Sequence, residues 1–274
     1  MYEPLVKMPY ISERPLNVHV NRNGFRESLH EVDVAVCDAN GKIIVGMGNV
    51  ESIIFPRSAM KPLQAIALVE LLGDLDDIPD LLESEVALIC ASHNGEVFHA
   101  DAIAKLLEKF DIATEELICG AHWSMHQETL VSQVRSMERP QKIHNNCSGK
   151  HAGMLALAKH LGKGTKGYVK KNHPVQKVIM KYVGELCRET NIPVEIDGCS
   201  APTPFMTLQM IAEMFQVMAS NDKPELKRVF DAMASHPEMV GGTNHFDSMF
   251  ISALGGRGVT KVGGESVRGF ALKT

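Results

Sequence analysis

The sequence predicts an α+β fold, in which a mostly antiparallel sheet made by the two ends of the chain packs against helices from its middle. Three observations carry this. Strand-like segments lie near both termini, residues 61–244 read mainly as helix, and no disordered linker, internal repeat or low-complexity tract interrupts the 274 residues. Residues 1–274 are expected to form a single domain, with 1–60 and 245–274 as the sheet-forming ends. A chain of this length buries a full core without staples.

Taken in order, "EVDVAVCDANGKIIVGMGN" gives an alternating strand, an Asp-Ala-Asn-Gly turn and a second, β-branched strand, which is a hairpin. The next segment, "SAMKPLQAIALVELLG", has apolar residues around nearly its whole circumference, so it predicts a helix buried on all sides. Pro62 requires that helix to begin or bend there, which puts Ser58 at a helix start. Amphipathic periodicity predicts a helix in "VFHADAIAKLLEKF", and "GKHAGMLALAKHLG" reads as another, closed by Gly162. Further helices are predicted at "HPVQKVIMKYVGELCRET", "TLQMIAEMFQVMA" and "PELKRVFDAMASH". The glycine-rich "GGRGVTKVGGESVRGFALKT" closes the chain as one or two strands with tight turns.

Composition narrows the function classes. With 45% hydrophobic and 22% charged residues the chain has the balance of a soluble globular protein. A formal net charge of -5 and the lack of a basic stripe argue against a nucleic-acid partner. No run approaches the ~20 apolar residues of a membrane span, and the N-terminal stretch has no signal-peptide core, so a cytoplasmic protein is expected. Six cysteines are too sparse for a disulfide framework and are expected to be reduced. Cys37, Cys90, Cys119 and Cys187 sit in apolar runs; Cys147 and Cys199 do not.

The stretch "PRSAMKP" raises the first chemical question. Ser58 and Lys61 are three apart, so on a helix they share a face and the amine can reach the hydroxyl. A lysine deprotonates a serine when burial or a neighbouring cation lowers its pKa, and a nearly all-apolar helix supplies burial. The bland alternative is a helix-starting serine beside a surface lysine. Two further stretches favour the chemical reading: "SHN" (Ser92, His93, Asn94) and "KVG" (Lys261 to Gly263). S-x-x-K, S-x-N and K-x-G in this order form the signature set of serine β-lactamases and penicillin-binding proteins. In that logic the second serine relays a proton, and the last lysine holds a substrate carboxylate and depresses its neighbour's pKa.

A second constellation joins "HNNCSGKHAG" to "IDGCSAPTP". Cys147 and Cys199, with His144, His151 or Asp197 nearby, could hold Zn²⁺, for which sulfur and nitrogen are the usual donors. Two buried free cysteines beside a Gly-Lys helix cap, or a reactive thiol activated by Lys150, are the alternatives.

Together "RSAMKPLQ", "CASHNGE", "NNCSGKHAGML", "DGCSAPTP", "HPEMVGG" and "KVGGE" resemble the Rhizobium-type L-asparaginase family, from about residue 17 onward. The resemblance implies a serine β-lactamase-like fold and hydrolysis of L-asparagine to L-aspartate and ammonia through two Ser-Lys pairs, Ser58 with Lys61 and Ser92 with Lys261. It also implies a zinc site made by Cys147, Lys150 and Cys199, with Asp197 near the substrate. The chain stops at "GFALKT", where such proteins usually continue for several tens of residues, so a short or truncated member is expected.

A zwitterionic substrate needs a cation for its carboxylate and an anion for its ammonium, roles that fall to Arg57 and Asp197, with Asn94 as a further contact. Arg57 could equally serve a structural ion pair. The rival functions are a glutaminase or penicillin-recognising hydrolase on the same fold, and a non-catalytic, zinc-stabilised amino-acid-binding module. A homodimer is expected because twofold dimers are the commonest assembly.

Overall fold

The computed structural model describes residues 9–73, 79–137, 139–220 and 222–273. Helices dominate the middle and strands the ends, an α+β arrangement. The predicted hairpin is formed by Val34–Cys37 and Ile43–Met47, and Tyr10–Ser12 adds a third strand parallel to the latter. Asp38 holds its turn by accepting the N–H groups of Asn40 and Lys42 on one carboxylate oxygen. At the other end, Gly258–Val262 and Arg268–Leu272 form the second predicted hairpin.

The two ends do not form one sheet among the described residues. Both instead pack on the helix Leu208–Ser220, which meets Val34–Cys37 and Arg268–Leu272. Apolar strand faces are satisfied by covering that helix, and strand-to-strand pairing is not needed to bury them. Short strands also interrupt the expected helical middle: Val194–Ile196 pairs with Pro202–Pro204, and Met206–Thr207 with Ile53–Ile54.

The buried helix is as predicted. A 3-10 turn at Arg57–Met60 leads into Lys61–Gly73, and Leu63, Ile66, Leu68 and Leu72 are all buried. It is enclosed by Ser148–His160, Pro174–Cys187 and Pro224–Ser235. Glu83–Ile89 packs on the first and last of these, and its end delivers Ser92 to the interior. Gly149 is required at that contact, since a Cβ there would lie 2.1 Å from the Leu88 carbonyl oxygen. The glycine in "CSGKHAG" is therefore a packing residue that lets the helix carrying Lys150 approach Leu88. Gly263 acts likewise, because its Cβ would lie 2.4 Å from the Pro56 carbonyl oxygen. That close approach seats the "KVG" strand end against "PRSA".

Sequence reasoning overlooked a hairpin at Leu16–Arg22 and Phe25–Val32, although "NG" at its tip is a strong hairpin signal. Asn23 and Gly24 both take positive φ, the geometry of a tight two-residue turn. All six cysteines are free, and all but the half-buried Cys37 are buried. No described helix is long and apolar enough to cross a membrane. Residues 1–8, part of the N-terminal stretch expected to have no signal-peptide core, lie outside the described residues.

Candidate active site

Ser92 is the centre of the site. Lys61 Nζ donates to Ser92 Oγ at 3.0 Å, and Lys261 Nζ approaches the same oxygen at 2.7 Å. Both lysines are fully buried, and Ser92 is 4% exposed. Lys61 reaches Ser92 from the start of its helix and also donates to the carbonyls of Ala91 at 2.6 Å and Asn146 at 3.1 Å. Three acceptors surround three hydrogens, the coordination an ammonium needs when it is taken out of water.

Lys261 stands on the Gly258–Val262 strand, and its amine is pushed down to about 7. Burial is the largest cause, the positive charge of Lys61 adds to it, and Asp247 works against both. Asp247 is a site residue that sequence reasoning missed. Fully buried, it accepts the Val262 N–H at 3.0 Å, pairs with Arg268, and lies 3.8 Å from Lys261. No short motif surrounds it. Only the pairing of the Phe246–Leu254 helix with the last hairpin brings it there.

Ser58 is half-buried at the head of the helix, and no hydrogen bond joins its hydroxyl to Lys61 among the described residues. It shares the helical face of Lys61, whose backbone N–H bonds the Ser58 carbonyl. Arg57 beside it has φ +52, a left-handed conformation uncommon for a side chain of this size and a mark of local constraint. This turn lets the Arg57 Nε reach Asp197 Oδ1 at 2.6 Å, and the same oxygen takes the Gly198 N–H at 2.7 Å. The two residues expected to hold the substrate's opposite charges are thus paired with each other. Arg57 keeps a third of its side chain exposed, and with Ser58 it forms the accessible lip of an otherwise enclosed cluster. Asn94 is tied back by its side-chain amide to the Thr243 carbonyl and by its N–H to that of Gly241.

Beside the serines lie the two thiols. Cys147, Lys150 and Cys199 are all buried, and Lys150 Nζ is 3.3 Å from Cys199 Sγ. A hydrogen bond from Cys199 holds the Cys147 thiol well below its ordinary value, against the opposing effect of burial. Burial alone would lower Lys150, yet the Cys199 and Cys147 sulfurs outweigh it and hold the amine above the usual lysine range. No group of three or more His, Cys, Asp and Glu among the described residues could hold a metal ion. His151 is instead directed to the Tyr168 hydroxyl at 2.6 Å. Were a cation bound here, Lys150 in its neutral form would be the nitrogen at hand beside the two sulfurs, an N,S set of the kind a borderline-soft cation such as Zn²⁺ accepts.

The sequence model of the L-asparaginase II family matches residues 18–274, nearly the whole chain. The chain belongs to this family. Its membership supports L-asparaginase activity in general terms, and with it an amidohydrolase acting on a small-molecule substrate. A search of curated proteins finds no match. In this member of the L-asparaginase II family, "RSAMK", "SHN", "NNCSGK", "DGCS" and "KVG" come from five separate parts of the chain, and the fold gathers them around Ser92 and Lys150.

Proposed function

We propose that the protein is a serine–lysine L-asparaginase of the cytoplasm, converting L-asparagine to L-aspartate and ammonia through an ester on Ser58. The single observation supporting this most is the convergence of two buried lysine amines on the hydroxyl of Ser92, one of them, Lys61, one turn after the half-buried Ser58.

The protons follow from that arrangement. A hydroxyl between two amines can accept from one and donate to the other, so Ser92 connects Lys61, which has three acceptors, to Lys261, whose pKa near 7 leaves it ready to receive. A proton moving from Lys61 through Ser92 to Lys261 leaves Lys61 neutral. Lys61 then takes the Ser58 proton as the serine oxygen attacks the side-chain amide carbon. Catalytic hydrogen bonds often tighten only with substrate present, which accounts for the open Ser58–Lys61 contact. The C–N bond breaks as ammonia takes a proton back along the same path, and water hydrolyses the ester. Backbone N–H groups at the helix start, that of Ser58 included, would stabilise the oxyanion.

Substrate enters over the lip. Its carboxylate replaces Asp197 as a partner of Arg57, and its ammonium meets the released Asp197 carboxylate. The existing pair thus keeps both charges compensated until a zwitterion arrives. Zn²⁺ would be held by Cys147, Lys150 and Cys199, where it supplies positive charge beside the serines and favours the neutral form of Lys150.

The test is ammonia release from L-asparagine, L-glutamine and a β-lactam, with acid-quenched enzyme mapped for the acylated peptide. Turnover of asparagine with the ester on Ser58 is expected. An ester on Ser92 would exchange the two serines, and no ammonia from asparagine in zinc-supplemented enzyme would overturn the reading.

A further inference from the structure

His122 stands outside the residues assigned so far, yet both of its ring nitrogens are committed. Nε2 accepts the Asn146 N–H at 2.8 Å. A backbone amide N–H donates, so that nitrogen carries no proton, and Nδ1–H is left to donate to the Trp123 carbonyl at 2.7 Å. The ring is thereby fixed as one neutral tautomer. What it holds is Asn146, and both oxygens of Asn146 are used at the site: the carbonyl accepts from Lys61 Nζ at 3.1 Å, and Oδ1 accepts from the Cys147 thiol at 3.3 Å. Asn145 ties the same stretch to the loop that carries His122, its Nδ2 donating to the Cys119 carbonyl at 2.9 Å and its Oδ1 accepting the Cys147 N–H at 2.8 Å. A little further along that loop, Ser124 Oγ and the Met125 N–H both donate to the Asn94 carbonyl, at 2.7 and 2.8 Å, two residues past Ser92.

We propose that His122 is a positioning residue for Lys61, holding Asn146 so that its carbonyl stays aimed at the Lys61 amine. The inference rests on the serine–lysine reading above. Of the three acceptors around Lys61 Nζ, two come from the neighbouring residues Ala91 and Ser92, and the third, the Asn146 carbonyl, comes from a distant part of the chain. Two acceptors close together let an amine on a flexible stem swing about them, and a third on another segment fixes its place. Among the described residues the Asn146 N–H has no acceptor besides His122, so losing the imidazole leaves it unpaired and residue 146 free to turn. Lys61 has to meet Ser92 and then the Ser58 hydroxyl. A displaced amine therefore acts on the proton steps, and not on substrate binding, which falls to Arg57 and Asp197.

The test is steady-state kinetics of the whole chain with L-asparagine for His122→Ala, His122→Met and His122→Gln, with melting curves and crystal structures of the same variants. Alanine and methionine offer Asn146 no acceptor of comparable strength, and each is expected to lower kcat about 10²-fold with KM unchanged, the scale of a misplacement of about 1 Å. Glutamine, whose Oε1 reaches the place of Nε2 and accepts, is expected to recover most of that loss. A His122→Ala enzyme that melts lower but keeps its kcat would make His122 a structural residue only and overturn the proposal, as would a glutamine variant no faster than the methionine one. If wild type itself releases no ammonia, the asparaginase reading fails, and the crystal structures decide the positioning role. Lys61 Nζ displaced from the Asn146 carbonyl in the alanine and methionine variants, and in place in the glutamine variant, supports it; a Lys61–Asn146 contact unmoved in all three overturns it.

Discussion

Lys261 Nζ and Ser92 Oγ lie 2.7 Å apart in a fully enclosed setting, at the junction of a strand from the end of the chain and a loop from its first third. The pair works as a proton path if Lys261 is neutral when turnover begins, and this makes the pH dependence informative.

Burial and the Lys61 charge set Lys261 at about 7, so kcat/KM is expected to rise with pH through an apparent pKa near that value. Stability should follow the same group. An unfolded lysine titrates near 10.4, so between about 7 and that value the unfolded chain binds a proton that the folded one has released. Stability is therefore expected to climb with pH across this window, and Lys261→Met to flatten the climb while stopping turnover. Melting temperatures and initial rates over a pH series check both.

Asp247→Asn removes the carboxylate that supports the charged form of Lys261. The acid limb of the rate profile is expected to move to lower pH, since one opposing influence on the depressed lysine is gone. Leaving Arg268 without its buried partner also costs about 3–5 kcal/mol, read in a denaturant melt. A destabilised variant with an unshifted profile would give Asp247 a purely structural part.

Ser92→Ala keeps both lysines but cuts the path between them. A loss of about 10²–10⁴ in kcat with little change in KM is expected, the scale of a removed acid–base group. Ser58→Ala is expected to abolish the acyl-enzyme altogether, as followed by mass spectrometry of quenched reactions.

Arg57→Ala frees Asp197 and deletes the proposed carboxylate anchor. KM for asparagine should rise about tenfold, the equivalent of about 1.4 kcal/mol of lost binding, and Arg57→Lys should restore part of it, lacking the flat fork of guanidinium. Unchanged KM in the alanine variant would leave the Arg57–Asp197 pair a structural bridge.

Cys147→Ala and Cys199→Ala are each expected to lower bound zinc from about one per chain toward none, measured by atomic emission on purified protein. Chelator treatment of wild type should lower its melting temperature and leave that of either variant unmoved. Equal metal content in all three proteins would remove the zinc assignment.

Much of this was legible in the chain. The helix Lys61–Gly73 could be read because an apolar circumference too short to span a membrane fits a helix enclosed on all sides, and the two hairpins at Val34–Met47 and Gly258–Leu272 because turn residues separate alternating runs. The hairpin Leu16–Val32 also carried its signal in "NG", which went unused. The separate sheets were not legible, because a one-sided strand looks the same whether a helix or another strand covers it. Asp247 was hidden for a related reason: a lone aspartate in "HFDSMF" acquires meaning from the strand that docks on it.

By itself the sequence determined which residue types were available for chemistry, their order, and the helix that buries Lys61. Tertiary structure decided the partnerships. Lys61 was expected to serve Ser58 and Lys261 to serve Ser92, yet both amines reach Ser92, while Arg57 and Asp197 face each other. Spacing along a helix constrains which side chains share a face. Which acceptor a buried amine takes depends on the low-dielectric interior, where each N–H must find an oxygen, and those oxygens come from distant parts of the chain.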